Sequence, residues 1–456
     1  MASTYLSRNS WGTPTSAKKF TISLWFKICD APNDESIIFN SYTGSLDRLS
    51  FSLNGSRQLK VENNNGSYNL RFITNRKIRD PNAFYHVVVK VDTTQSTQSD
   101  RFKMYVNGVQ ETSFGTATYP SQNDDIKVPQ SGKTVYIGAW TTSGQHWNGI
   151  MSHFHYVDGT AYDASTFGST DATTGEWKIN TSPTVTYGTN GFFILKDGNS
   201  VTDQSPNSNA FTVGGGTLTK SEDNPSNVFC TLNPLQEPDP SQAVTYSFGN
   251  TKFAGNWNNW QRCYGTIGAN TGKFYYEFKC LNDDGTAGHL RIGWDSIDNI
   301  NQGTESYYSG LTLDREGKLR GGIDGYSGYD PNAVQMTQAY SGGNFSYTAN
   351  DILGMAIDID NNTFSVYKNG NLEINAYSYA SASNCSLLKS KGHFIAPSIN
   401  FFSGSGNANR SCFNFGNGYF ETTAVSSAGT NASNNGIFEY NVPSGYTAFS
   451  TKGLNL

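Results

Sequence analysis

The chain has 456 residues, of which 14% are aromatic and 15% charged, with 47 Gly, 14 Pro and a formal net charge of −5. Abundant aromatics and a small net charge exclude a disordered chain, and the scarcity of strong helix formers excludes a helical bundle. An acidic balance leaves no basic footprint for nucleic acid, and without a run of 18 apolar residues no helix is expected to insert in a membrane.

What remains is an all-β protein of two to four domains, built from aromatic and β-branched strands. The start, Met1 to Arg8, lacks the apolar core of a signal peptide, so synthesis in a cytoplasm is expected. The six cysteines (29, 230, 263, 280, 385 and 412) include no C-x-x-C pair, which excludes zinc-ribbon and thioredoxin-type sites. They are expected to be reduced thiols.

In chain order, the first clear element is Phe20-Thr-Ile-Ser-Leu-Trp-Phe-Lys. Its period of two puts Phe20, Ile22, Leu24 and Phe26 on one face and Thr21, Ser23 and Lys27 on the other, as in a half-buried strand. Tyr85–Asp92, a polar loop, and Arg101–Val106 then read as two strands ending in Asn107-Gly108. Asn-Gly supplies the two positive-φ residues of a tight hairpin turn. Asp163–Phe167 is the best candidate for a helical turn, with Asp163 as its cap. Gly191–Leu195 reads as the last strand of a first sandwich. The stretch from about residue 181 to 239 is rich in Asn, Ser, Pro and Gly and reads as a connector. Lys273–Cys280 alternates like the first strand, with Lys273, Glu277 and Lys279 on the polar face. The strand–turn–strand unit then returns as Ile352–Asp360 and Thr363–Lys368, again followed by Asn369-Gly370. The fold expected is two antiparallel, jelly-roll-like β-sandwiches, residues 1–195 and 243–418, with a connector at 196–242 and an extension at 419–456.

Residues 4–195 resemble the laminin-G-like, concanavalin A-type lectin/glucanase sandwich. The resemblance is carried by Phe20–Phe26, Phe84–Val89, Lys103–Gly108, Val135–Trp140 and Trp147–Tyr156. Residues 243–418 resemble a SPRY domain, through Gly272–Lys279, Leu290–Trp294, Asp351–Asp360, Phe364–Gly370, Phe394–Ile399 and Cys412–Gly416. Together with Ser165–Trp177, Thr231–Leu235 and Tyr440–Tyr446, they look like a family of virion proteins of marine tailed bacteriophages. That resemblance implies a structural virion component, such as a tail fibre, appendage or decoration. It also implies other virion proteins as partners, a homo-oligomer (a trimer by expectation), and host-surface glycan as a ligand. A purely structural subunit without a sugar ligand is the alternative.

A glycan-degrading enzyme is disfavoured. Retaining glucanases of this sandwich need E-x-D-x-x-E on one strand, which puts two carboxylates on one face. No Glu here begins that pattern; the nearest, Glu237-Pro-Asp239, has Gln at position 242. His153 and His155 share a strand face that would suit a metal, but no third ligand is apparent. Calcium is a common guest of such sandwiches, and Asn123–Asp125 and Asp358–Asn362 offer oxygen ligands, though plain turn chemistry accounts for the second. Sugar sites stack aromatic rings on sugar faces and fix hydroxyls with amide and guanidinium groups. Two loop clusters have that make-up: Trp140, His146, Trp147 and Asn148 in the first domain, and Trp257, Trp260 and Arg262, rimmed by Tyr326 and Tyr329, in the second. For each, packing is the competing role, and for Trp147 it is the favoured one.

Overall fold

The computed structural model describes residues 4–29, 34–196, 201–235, 244–255, 261–282, 290–297, 311–315, 317, 319–321, 335–336, 346–379, 394–401 and 409–455. Among them every regular element is a strand or a short 3₁₀ turn. The chain forms two compact units, residues 1–220 with 224–226, and 221–223 with 227–456.

The first unit is a sandwich of two antiparallel sheets. The larger runs in the order Phe114–Thr118, Tyr68–Lys77, Gln58–Asn65, Asp47–Leu53, Ser36–Gly44, Thr134–Ile137, Tyr5–Arg8 and Thr212–Gly214. The smaller runs Phe192–Ile194, Gly149–Asp158, Lys19–Ile28, Tyr85–Asp92, Phe102–Val106 and Val109–Gln110. Alternation decides which side chains meet between them. Ile137, Phe39, Phe51, Val61 and Phe72 are paired neighbours on successive strands of the larger sheet. They pack into one core with Phe20, Ile22, Leu24, Phe26, Val87, Val89 and Met104 of the smaller sheet. Each such side chain, fully buried, contributes roughly 1.5–3 kcal/mol.

The outer face of the smaller sheet is buried as well. Thr21, Ser23 and Lys27, expected on a wet face, are each at most 1% exposed. The reason is a covering layer, in which Phe167, Tyr187, Tyr162 and Trp177 pack on Val88 and Val157. The turn at Ala164–Thr166 belongs to this layer. Its expected cap, Asp163, makes no side-chain cap bond. Its carboxylate instead accepts from Lys90 Nζ (2.8 Å) and Tyr105 OH (2.7 Å), pinning the turn to the sheet.

Residues read as connector are built into the units. Thr212–Gly214 pairs with the Tyr5–Arg8 strand, and Phe211 packs edge-on against Trp11 and Phe192. Asp203 accepts the N–H groups of Phe193, Ser205 and Asn209. Phe229, Cys230 and Leu232 are buried in the second unit. Short-range composition marks this stretch as irregular but cannot show what its few apolar side chains pack against.

The second unit pairs a sheet running Thr245–Ser247, Lys252–Gly255, Asn409–Asn414, Lys273–Asn282, Ile352–Asp358, Thr363–Lys368 and Asn371–Ser378 with one running Gln261–Tyr264, Ile395–Phe401, Leu290–Ser296, Leu311–Asp314, Leu319–Gly321 and Gln335–Met336. Its C-terminal segment covers the outer face of the first of these sheets. Thr447–Ala448 pairs in parallel with Phe274 and Tyr275, and Phe438 packs edge-on against Tyr275 at 5.1 Å. Glu277, placed by alternation on a polar face, is consequently buried.

Both expected Asn-Gly turns form, with φ of 48° and 77° at Asn107-Gly108 and 49° and 82° at Asn369-Gly370. In each, the Asn side-chain oxygen accepts the N–H of a residue on the preceding strand, His86 or Ile352. An aromatic ring from the covering segment, Trp177 or Tyr440, lies where a Cβ on the glycine would be. The five described cysteines are buried; Cys385 lies outside the described residues.

Candidate functional site

The outer face of the larger sheet of the first unit is chemically unlike the other faces. Period two puts Tyr136, Asn40, Ser50, Glu62 and Arg71 in one row across five strands. The next row holds Tyr42, Arg48, Asn64 and Tyr68. Neighbouring strands lie about 4.8 Å apart, so these side chains form a continuous platform.

Glu62 is its hub. At 1% exposure its carboxylate lies beneath the cations that hold it. Arg71 Nε is 2.9 Å from Oε1, while Arg48 Nη2 (3.3 Å) and Lys60 Nζ (3.4 Å) meet Oε2. Lys60 also pairs with Glu35 at 2.7 Å, and Glu35 accepts from Ser52 Oγ. A buried carboxylate is tolerated only with such partners, and the set adds little stability compared with an apolar replacement. Its value lies in holding charged groups in fixed positions.

Aromatic rings complete the platform. The Arg48 guanidinium lies 4.8 Å from the centroid of the Trp140 ring and 5.7 Å from that of Tyr68, and donates to Tyr68 OH at 3.1 Å. Arg71 lies 4.6 Å from the Tyr68 centroid. Tyr42 meets Trp140 edge to face at 5.8 Å. Asn40 Nδ2 donates to the Trp140 carbonyl (2.6 Å), which fixes the amide and leaves Oδ1 as an acceptor. Asn40 Oδ1, Asn64 Oδ1, Ser50 Oγ and Arg48 Nε are all buried and find no hydrogen-bond partner in the protein. Unmet buried polar atoms are costly, and here acceptors and a donor lie on adjacent strands of one face.

The first predicted loop is brought partly to this face. It is closed by Trp140 N–H to Gly144 O and Trp147 N–H to Gly138 O, and tied to the sheet by Ile37 N–H to Gln145 O. Trp140 joins the platform. His146 stacks on Tyr5 (6.2 Å), which leans on Tyr136, and burial lowers its pKa. Trp147 turns the other way and meets Phe26 edge-on at 5.2 Å, against the core. Asn148 is exposed, and its carbonyl accepts from Cys29 N–H.

In the second unit, Arg262 is buried on the Gln261–Tyr264 strand, 3.9 Å from Asp295 and donating to Tyr264 OH. Trp257, Trp260, Tyr326 and Tyr329 lie outside the described residues.

The sequence reading missed Arg48, Glu62, Tyr68 and Arg71. The available signal was alternation with charged residues at strand centres, in Asp47–Leu53, Gln58–Asn65 and Tyr68–Lys77, where solvent-facing positions ordinarily carry Thr or Ser.

The other described histidines, His86, His153 and His155, make contacts within the fold. His86 Nδ1 accepts from Trp177 Nε1 (2.9 Å), so Nε2 carries the proton and donates to Ser23 Oγ, also at 2.9 Å. That polarity is the reverse of a base activating a serine. Burial lowers the His86 pKa to about 3. His153 Nδ1 lies 2.8 Å from Ser152 Oγ, and His155 Nδ1 lies 2.8 Å from Tyr187 OH. Among the described residues no three His, Cys, Asp or Glu side chains converge for a metal. The carboxylates of the two calcium candidates serve their own loops: Asp124 accepts from Ser121 N–H, and Asp358 from Asn361.

Residues 2–165 match the family model described as the concanavalin A-like lectin/glucanases superfamily. Among solved structures the chain is similar to the SPRY domain of human HERC1, with 14% identity, 40% of this chain and 96% of that one covered, and a TM-score of 0.27. It is also similar to a heptameric SAP-like pentraxin from Limulus polyphemus, with 17% identity, coverage of 47% and 89%, and a TM-score of 0.29. A third, from Bacteroides ovatus and described as a carbohydrate binding protein, shows 14% identity, coverage of 47% and 56%, and a TM-score of 0.30.

Proposed function

We propose that the first unit binds carbohydrate, without cleaving it, on the platform centred on Glu62. The observation that carries this reading is the fixed Arg48–Glu62–Arg71 set beside Trp140, with unmet acceptors and a donor around it. A polyhydroxylated ligand supplies donors and acceptors a few ångströms apart, and an aromatic wall accepts the apolar face of a sugar ring. Glu62 lies buried beneath the three cations that meet it, so its part in the site is to position Arg48 and Arg71 rather than to touch the sugar.

The test is retention of the protein on immobilised polysaccharides. Wild type is expected to be retained, and Trp140→Ala to lose at least about tenfold in affinity while keeping its melting temperature within a few degrees. Equal retention of both proteins would remove Trp140 and this face from the site. No retention on any polysaccharide would favour a structural subunit.

The setting we propose is a phage virion, with the protein on the particle surface contacting host glycan as a symmetric oligomer, a trimer by expectation. It rests on the sequence resemblance. Weak sites repeated by symmetry gain avidity, which is the use such a setting has for them. Immunogold labelling of particles and sedimentation of the purified protein test the two parts separately.

A further inference from the structure

Within the proposed platform the charges are unequal in number and in depth. Three cations (Arg48, Lys60 and Arg71) face two carboxylates (Glu35 and Glu62), an excess of one positive charge in a chain of net charge −5. The depth matters more. The Glu62 side chain is 2% exposed and lies under its partners, whereas that of Arg71 is 37% exposed. Arg71 is held from below twice, by an ion pair with Glu62 at 2.9 Å and by its plane near the Tyr68 ring. The contacts the Arg71 side chain makes among the described residues are this ion pair and the Tyr68 ring, with none to its Nη atoms. A guanidinium so fixed, with its terminal nitrogens unused, is set to receive an oxyanion through two parallel hydrogen bonds. The unmet Asn64, Ser50 and Asn40 oxygens lie one, two and three strands away and call for hydroxyl donors.

We propose that the ligand is an acidic saccharide, whose carboxylate or sulfate group pairs with Arg71 while neighbouring hydroxyls meet the asparagine and serine oxygens. This rests on the saccharide reading of the same platform. A saccharide with a uronate or a sulfate ester offers both kinds of group within one ring. A neutral sugar leaves the outward guanidinium facing only water.

The experiment measures binding of the full-length protein to dextran, polygalacturonate and dextran sulfate at 50 and 300 mM sodium chloride. Arg71→Gln, Arg71→Lys and Lys178→Gln are compared with wild type, with melting temperatures measured for each. Lys178 is a cation of the layer that covers the other sheet, so its variant controls for unspecific attraction. At least one acidic polymer is expected to bind more tightly than dextran, and the stronger of the two identifies carboxylate or sulfate as the group. Arg71→Gln should weaken that binding by about tenfold or more, as expected for a charge-assisted hydrogen bond. Arg71→Lys should retain part of the affinity, and Lys178→Gln all of it. Tight binding of dextran that survives Arg71→Gln overturns the acidic-ligand inference and leaves the saccharide reading standing. Loss of affinity in Lys178→Gln equal to that in Arg71→Gln also overturns it. Failure of the wild type to bind any of the three polymers overturns both.

Discussion

Single residues here titrate against their surroundings, and the two units do so in opposite senses. In the first, burial lowers the His86 pKa to about 3 and that of His155 well below its ordinary value. A lowered histidine contributes stability that is present above its unfolded pKa near 6.5 and is lost as pH falls toward the folded value. In the second unit Glu277 is pushed up from 4.5 to about 7, with burial as the largest cause. The N–H groups of Glu439 and Tyr440 and the Asn414 amide donate to it and only partly offset the cost. A raised carboxylate contributes stability that is fully present below 4.5 and is lost as pH rises through 7, by up to about 3 kcal/mol across that window. Calorimetry is therefore expected to show the second unit melting at higher temperature at pH 5 than at pH 8. The first unit should shift the other way below pH 6.5. Glu277→Gln should flatten the first dependence and leave the second unchanged. A Glu277→Gln protein with the wild-type slope would assign the effect to other groups.

At the scale of elements, the tight hairpins are joined to the segments that cover them. Gly108 has φ of 77° and lies against Trp177, whose indole N–H is bonded to His86. Gly66 has nearly the same φ, 82°, with open space around its Cβ direction. Gly66→Ala is expected to cost about 1 kcal/mol, the conformational penalty alone. Gly108→Ala adds a collision that displaces Trp177, and is expected to cost about 3 kcal/mol or more. Urea unfolding of the two variants separates the terms; equal costs would show that the Trp177 contact contributes nothing. The pairing of Gly370 with Tyr440 repeats the device in the second unit.

For the whole molecule, the consequence is where a unit can be cut. The first unit needs residues well beyond the strand Phe192–Ile194, because Phe211 fills the core beside Trp11 and Asp203 caps the backbone of that strand. A fragment ending at residue 195 is expected to lose at least the 3–5 kcal/mol of a deleted core Phe and to unfold or aggregate, whereas one ending at 226 should melt cooperatively. Equal melting of the two fragments would show residues 196–226 to be dispensable. The extension after residue 418 is similarly integral to the second unit, since it seals Glu277 and supplies Phe438, Ala448 and Phe449 to its packing.

Local rules sufficed for much of this protein. Period two and Asn-Gly determined the strands Lys19–Ile28, Tyr85–Asp92, Lys273–Asn282 and Ile352–Asp358, the two tight turns and the all-β class, because side-chain alternation and positive φ act over a few residues. Trp140 was legible from its loop as a candidate, and the structure sets it beside Arg48 on the platform. Only the tertiary structure decided which polar faces are covered, and so that Ser23 and Glu277 are buried while Arg71 and Tyr68 face outward. The Glu62 platform likewise needed strand register, since Asn40, Arg48, Glu62, Arg71 and Trp140 come from five separate segments. Register and covering are long-range packing outcomes, and no local pattern encodes them.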